Sequence, residues 1–313
     1  DLNREIVGSA AYINERLAPP GKKVVTLQWS GDTAPGVEAL RIAENANLLN
    51  MNGGDTQISR TNPSLTAVAP IGISKSGYFQ IYAPDTNENI FTNLWTGPFY
   101  GYRRVIETFE MTDRPRRLKP VGIYYHTYSA TKKASITALN EVYQWALSKE
   151  LHPVFPSEYI RKAVDFRDIV IAREGNDWLI RGNGNLRTLR MPFALGYPDI
   201  GNSHNVAGYI AGVEGNYVHL ASGDVLLRVT QRETSHAYLR NANARLTSWE
   251  VDDNKLIFSL KGYQPIEFSL ADSKRCGVSA NGKTLSPSRT NGDIQYFRLN
   301  DAAATIEALC HRH

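Results

Sequence analysis

The sequence predicts an α/β segment followed by an all-β one. Residues 1–165 read as the C-terminal half of a (β/α) barrel-type domain, and residues 166–313 as an accessory antiparallel β-sandwich. Three observations carry this. Before about residue 166, strand, loop and helix patterns alternate, which is the order of parallel strands with helices packed outside. After it, short runs of alternating apolar and polar residues are separated by turn-forming clusters. The length, 313 residues with 42% hydrophobic and 21% charged, suits two ordinary domains. No low-complexity linker separates the halves, so direct packing is expected.

Taken in order, "DLNREIVGSAAYINERL" sets Ile6, Ala10, Ile13 and Leu17 on one helical face, and "APPG" stops it. It reads as the middle of a longer chain, an excised or mature piece. "KKVVTLQW" is a strand ending at Trp29, and "SGDTAPG" a loop. "VEALRIAENANLL" is a helix with Val37, Leu40, Ala43 and Leu48 inward. "LLNMNGGD" reads as a short strand ending at Asp55, and "GYFQIYA" as another strand. A polar-aromatic loop, "PDTNENIFTNLWTGPFYG", leads to the helix "YRRVIETFEMT". "VGIYYH" is a strand ending at His126. The helix after it runs from about Thr131 to Ser148 on an apolar stripe of Ile136, Leu139, Val142, Tyr143, Ala146 and Leu147. "HPVFPSEYIRKAV" closes the half as a short strand and a helix.

Beyond it, "DIVIARE", "DWLIRG", "NLRTLRM", "YVHLAS", "VLLRVT", "KLIFSLK", "IEFSLA" and "IQYFRL" are the strand candidates, with no helix among them. The "GNGN" of 182–185 lies between two of them and reads as a hairpin turn, not a phosphate loop.

Net charge is +4 with no long Lys/Arg block, so nucleic acid is not indicated. No apolar run is long enough to span a bilayer. Cys276 and Cys310 have no metal-ligand spacing. They read equally as two buried thiols or as a disulfide, the latter only in an oxidising compartment. No HExxH, P-loop, dinucleotide fingerprint or nucleophile elbow is present.

Functional groups of α/β sheets collect at the C-terminal ends of strands. His126 ends one, where an imidazole can act as general acid. Asp55 and Asp32 end two others, each reading equally as a site carboxylate or as a turn or capping residue. Trp29, Trp95, Tyr125 and Tyr128, with Phe99 and Tyr100, are aromatics near those ends. With polar neighbours such as Arg60 and Asn89 they suit a sugar, whose apolar ring face stacks while polar groups bind its hydroxyls.

On these pieces the chain resembles the NodB-type polysaccharide deacetylases. The stretch "IYYHTYSATKKASITALNEVYQWALSKELHPVFPSEY" matches the family's late strand–His–helix arrangement. "VTLQWSGDTAPGVEALRIAENANLLNMNGGD" looks like its middle section. "NMNGGDTQISRTNPSLTAVAP", "NENIFTNLWTGPFYGYRRVIETFE" and "YYHTYSATKKAS" are similar to the deacetylase region of the PelA-type carbohydrate esterases of Pel exopolysaccharide biosynthesis. The resemblance covers about residues 1–165 in detail and the β-rich half less specifically.

It implies a periplasmic hydrolase of the biofilm matrix that N-deacetylates an N-acetylgalactosamine-rich polysaccharide. A divalent, zinc-type metal would activate water in the intact enzyme, an Asp would act as base, and a His would protonate the leaving amine. His126 matches the general acid by motif position, Asp55 its tuning partner, and the Trp29–Asp32 loop the family's Arg-containing motif, here without the Arg. The family's early Asp-Asp and H-x-x-x-H-like motifs are not found, so the metal ligands are expected outside this chain, in an upstream part of the same protein. His311 and His313 form a terminal pair with no supporting carboxylate. The fragment alone is expected to be inactive, and export machinery is an implied partner.

Two alternatives stand beside this. The chain is a carbohydrate-binding or assembly-docking module without catalysis, or it is a metal-independent glycoside hydrolase using Asp32 with Asp55 or Glu88.

Overall fold

The computed structural model describes residues 1–114, 116–252 and 254–310. The chain divides into two compact units, Asp1–Ala163 and Val164–His313. His311 and His313 lie outside the described residues.

In the first unit, helix α1 (Ser9–Tyr12) is flanked by π-helical turns, Arg4–Gly8 and Ile13–Leu17. Of its expected inward face, Ile6 is buried, while Ile13 and Leu17 are exposed. Strand β1 (Thr26–Gln28), helix α2 (Val37–Asn45) and strand β2 (Leu49–Met51) form one βαβ unit, with Thr26 opposite Leu49 in a parallel pair. Helix α2 buries Ala39, Leu40, Ile42 and Ala43, so Ile42 takes the inward place expected for Val37, which is exposed. Strands β3 (Gly72–Lys75) and β4 (Tyr78–Ile81) make an antiparallel hairpin. The exit of β2 runs beside it, because the Asn52 amide donates to the Ile81 carbonyl and the Ala83 amide to the Gly53 carbonyl.

Helices α3 (Glu88–Phe91), α4 (Val105–Met111) and α5 (Lys133–Leu147) follow. Phe91, Tyr102, Val105, Phe109, Ala138 and Val142 pack among them as one apolar cluster. Helix α6 (Pro156–Asp168) carries the chain from the first unit into the second.

The first unit is thus a mixture of helices and two-stranded sheets. No closed barrel is formed among the described residues. The strand read at 121–126 is extended at His126 (φ −101°, ψ 148°), but no strand pairs with it among the described residues. Its alternate amides find side chains instead. Gly122 donates to Asp85 Oδ2 (3.0 Å), Tyr124 to the Tyr102 hydroxyl oxygen (2.8 Å), and His126 to Glu88 Oε1 (2.8 Å). A period-2 segment is present, with three buried side chains where a neighbouring strand would be. The strand read at 152–155 is also not formed. The Phe155 amide donates to the Glu158 carboxylate at the start of α6, a capping arrangement that ends the extended path.

The second unit is built of antiparallel strands. Strands β5 (Val170–Glu174) and β6 (Asp177–Arg181) pair, and β7 (Thr188–Met191) begins a second sheet. Next come β8 (Tyr197–Pro198), β9 (Val206–Ala211), β10 (Asn216–Leu220), β11 (Asp224–Leu227) and β12 (Val229–Thr230). They are arranged as β11–β6–β5, β7–β10–β9 and β12–β8 around Ile180, Met191, Val218, Val225 and Leu227.

The remainder holds β13 (Tyr238–Ala242), β14 (Arg245–Asp252), β15 (Lys255–Lys261) and β16 (Glu267–Ala271). After these come β17 (Cys276–Ala280), β18 (Lys283–Thr284), β19 (Arg289–Asn291), β20 (Ile294–Arg298) and β21 (Ala303–Cys310). They form two sheets, β13–β16–β20–β19 and β14–β15–β21–β17–β18. Both sheets contribute to one core, in which Phe258, Ile306 and Val278 of one meet Phe268, Leu270 and Phe297 of the other. That shared core is sandwich-like. A disulfide joins Cys276 to Cys310, which face each other across the β17–β21 pair.

Candidate functional site

His126 stands where the extended segment meets a 3₁₀ turn, Thr127–Thr131. Its ring is partly exposed and is held on one side by a buried carboxylate. Glu88, in the first turn of α3, is 2% exposed. Its carboxylate lies 3.1 and 3.2 Å from His126 Nδ1 and also accepts the His126 backbone amide at 2.8 Å. The Ser129 hydroxyl donates to the same Oε1 at 3.0 Å, and the Trp95 indole N–H at 3.2 Å. Four donors therefore converge on one buried carboxylate. Burial of a charge at this depth is tolerated only with such saturation.

The consequence for His126 is definite. An Nδ1–H bonded to a carboxylate fixes the ring plane and the tautomer, and leaves Nε2 as the nitrogen that can give or take a proton. No protein group bonds to Nε2 among the described residues. The ring is walled by aromatics: Tyr128 stacks at 5.1 Å and 20°, Tyr124 at 5.8 Å and 27°, and Trp95 meets it edge-on at 5.2 Å. Trp95 is also edge-on to Tyr128 at 5.0 Å.

Trp95 is put there by an unusual turn. Asn93, Leu94 and Trp95 all have left-handed backbone, φ 47°, 52° and 63°. Each non-glycine residue in that region costs about 1–2 kcal/mol, so the turn needs support. It comes from Leu94 N–H on the Asn89 carbonyl (2.7 Å), Gly97 N–H on the Thr92 carbonyl (2.9 Å), and Trp95 N–H on the Thr92 hydroxyl (3.3 Å). Residues held in that region cluster at functional sites.

The other expected site residues distribute unevenly. Tyr128 and Trp95 stand at His126. Tyr125 is edge-on to Tyr143 at 6.4 Å and lines a small cavity together with Glu88, Trp95 and Ser129. Asn89 neighbours Glu88 on α3, and its side-chain oxygen is buried without a hydrogen-bond partner. Asp55 is exposed, and no hydrogen bond or ion pair joins it to His126 among the described residues; the carboxylate at that imidazole is Glu88. Asp32 is exposed and accepts the Ala34 amide at 3.1 Å, the turn-capping arrangement. Trp29 packs on the α2 cluster with its indole N–H on Asn50 Oδ1 (3.1 Å). Arg60 is exposed and faces Glu107 and Glu110 at 3.8 and 3.5 Å.

Glu88, Ser129 and Tyr124 complete the site without having been expected in these roles. A Glu after Asn87 at a helix start carries the ordinary signature of a first-turn carboxylate, which hides a second role. Among the described residues no three His, Cys, Asp or Glu converge as a metal-binding group, so the residues present do not fit the implied metal. Among the described residues no helix is long and apolar enough to cross a membrane. No protein-family model, no curated protein and no solved structure matches this chain.

Proposed function

We propose that this chain is part of a periplasmic polysaccharide N-deacetylase acting on an N-acetylgalactosamine-rich exopolysaccharide, to which it supplies the general acid and one substrate wall. The observation that carries the reading is the Glu88–His126 pair, with the partly exposed imidazole stacked on Tyr128, edge-on to Trp95, and no protein group bonded to Nε2 among the described residues. A proton donor held in one tautomer beside stacked aromatics suits protonation of a leaving amine on a sugar ring. The sequence resemblance, which includes the half-barrel reading of 1–165, supports the substrate class. The Cys276–Cys310 disulfide supports an oxidising compartment.

In this reading Glu88 orients His126, His126 delivers a proton through Nε2, and Tyr128 and Trp95 stack the sugar. Among the described residues no group of His, Cys, Asp or Glu would hold a metal. The experiment is acetate release from N-acetylgalactosamine oligomers by the intact protein. His126→Ala lowers the rate by about 10²–10⁴-fold, while polymer binding persists. Undiminished acetate release by that variant overturns the assignment.

A further inference from the structure

The loop that supplies Glu88 supplies a second carboxylate to the same segment. Asp85 and Glu88 stand three residues apart, and they bind the amides of Gly122 and His126, at the two ends of the extended stretch. Glu88 is saturated with donors. Asp85 is not: it is 1% exposed, Oδ2 has the Gly122 amide at 3.0 Å, and Oδ1 is buried with no hydrogen-bond partner among the described residues. We propose that Asp85 is a positioning residue for His126, latching the segment 121–126 in its neutral form and loosening it when ionised. The latch stands on the burial and bonding of Asp85; its bearing on catalysis rests on the deacetylase reading.

A buried carboxylate with a single N–H donor lacks the partners that keep Glu88 in place. A neutral carboxyl keeps the Gly122 bond at far lower burial cost. Burial pushes the Asp85 pKa up to about 7, against the Gly122 amide and the fields of Lys119 and Arg117, which pull it down. The groups facing it are those two cations and the Tyr102 and Tyr159 hydroxyls, with Glu88 on its own loop. None substitutes for the missing donor. The Lys119 ammonium is spent on the carbonyls of Ala69, Pro70 and Ala83 at 3.3–3.5 Å. The Tyr159 hydroxyl donates to the Tyr82 carbonyl; the Tyr102 oxygen accepts the Tyr124 amide, and no hydrogen bond runs from its hydroxyl to Asp85 Oδ1 among the described residues. Gly122 is the right residue for the latch, since a Cβ there would stand 2.8 Å from Pro84.

Linkage fixes the direction. Opening the segment to water returns Asp85 to an ordinary carboxylate. Opening therefore grows easier as pH rises from about 4 to about 7, close to tenfold per pH unit at most, and levels off above that. The test is amide hydrogen exchange of Gly122, Tyr124 and His126 in the full chain, corrected for intrinsic rate, between pH 4.5 and 8. The wild type should lose protection by tenfold or more up to about pH 7 and then plateau. Asp85→Asn keeps an oxygen for Gly122 but cannot ionise, and should be flat. Side-chain NMR of the His126 ring should show a component that tracks the Asp85 carboxyl ¹³C shift, and that component alone should be lost in Asp85→Asn, a coupling that a merely structural role would not give.

Flat wild-type protection, a slope retained in Asp85→Asn, or carboxyl and Gly122 amide shifts with different midpoints in the wild type would each overturn the proposal. The last is read without any variant. None of these readouts uses substrate, so failure of the deacetylase reading is seen separately, in acetate release.

Discussion

At the scale of single residues, Glu88 shows how much of a local arrangement can rest on one buried side chain. Four donors end on it: the amide and ring of His126, the Ser129 hydroxyl and the Trp95 indole. Removing it strands polar groups that are wholly or partly buried, and each such loss costs about 1–3 kcal/mol. Because the losses share one acceptor they are not additive, and Glu88→Ala should cost about 2–4 kcal/mol in urea denaturation. A cost below about 1 kcal/mol would mean that the donors find other acceptors. Glu88→Gln retains the volume and one acceptor, so the fold should survive it. Acetate release by the intact protein should nevertheless fall about tenfold or more, because the amide no longer fixes the His126 tautomer. His126 itself was legible, as an imidazole where an apolar run meets a polar turn. Its partner was not. Asp55 and Glu88 are both carboxylates in loop-like surroundings, and only the path of the chain from 81 to 88 decides which one reaches the ring.

At the scale of elements, the legible part was conformation and the illegible part was pairing. Residues 121–126 alternate as a strand does, yet what receives their amides are Asp85, Tyr102 and Glu88, and no sequence period reports that. In the second unit, β9 passed unrecognised because Gly208 breaks its apolar run. The glycine has a steric cause: φ is 151°, and a Cβ there would stand 2.1 Å from the Leu239 carbonyl oxygen of β13. Gly208→Ala must push those strands apart, and should cost about 3 kcal/mol or more by chemical denaturation. The turn read at "GNGN" is held from a distance as well. The Asp165 carboxylate, on α6, accepts the amides of Asn183, Asn185 and Leu186 at 2.7–3.0 Å. Burial raises its pKa, but the three amides and Arg187 outweigh that and hold it below the ordinary value. A depressed folded value means that the anchor is fully present above about pH 4 and is lost as pH falls through the folded value. Asp165→Asn should therefore lower stability near neutral pH, and the gap from wild type should close in acid below about pH 4. Urea midpoints measured from pH 7 down to 3 check it, and a gap that stays constant refutes it.

At the scale of the whole molecule, the change of rhythm near residue 166 was the most legible feature, because periods of 3.6 and of 2 are set by backbone geometry and need no partner. The ties that close each part over long sequence distances left no such trace. Cys276 and Cys310 are the clearest case: spacing alone left two buried thiols and a disulfide equally open, and the β17–β21 register brings them face to face. The closure spans a sequence separation of 34 residues, for which chain entropy gives about 4 kcal/mol of stabilisation. The bond also fixes the end of β21, the central strand of its sheet, which lies between β15 and β17. Loss of the bond should therefore be felt across that whole sheet and not at its rim alone. Reduction under native conditions is expected to speed amide exchange in β15, β17 and β21 together, and to lower the denaturation midpoint of the second unit. The double variant Cys276→Ala/Cys310→Ala should show the same loss without reductant, and reductant should then change nothing further. If reduction leaves exchange in β21 untouched, the strand is held by its core side chains Ala304, Ile306 and Ala308 alone.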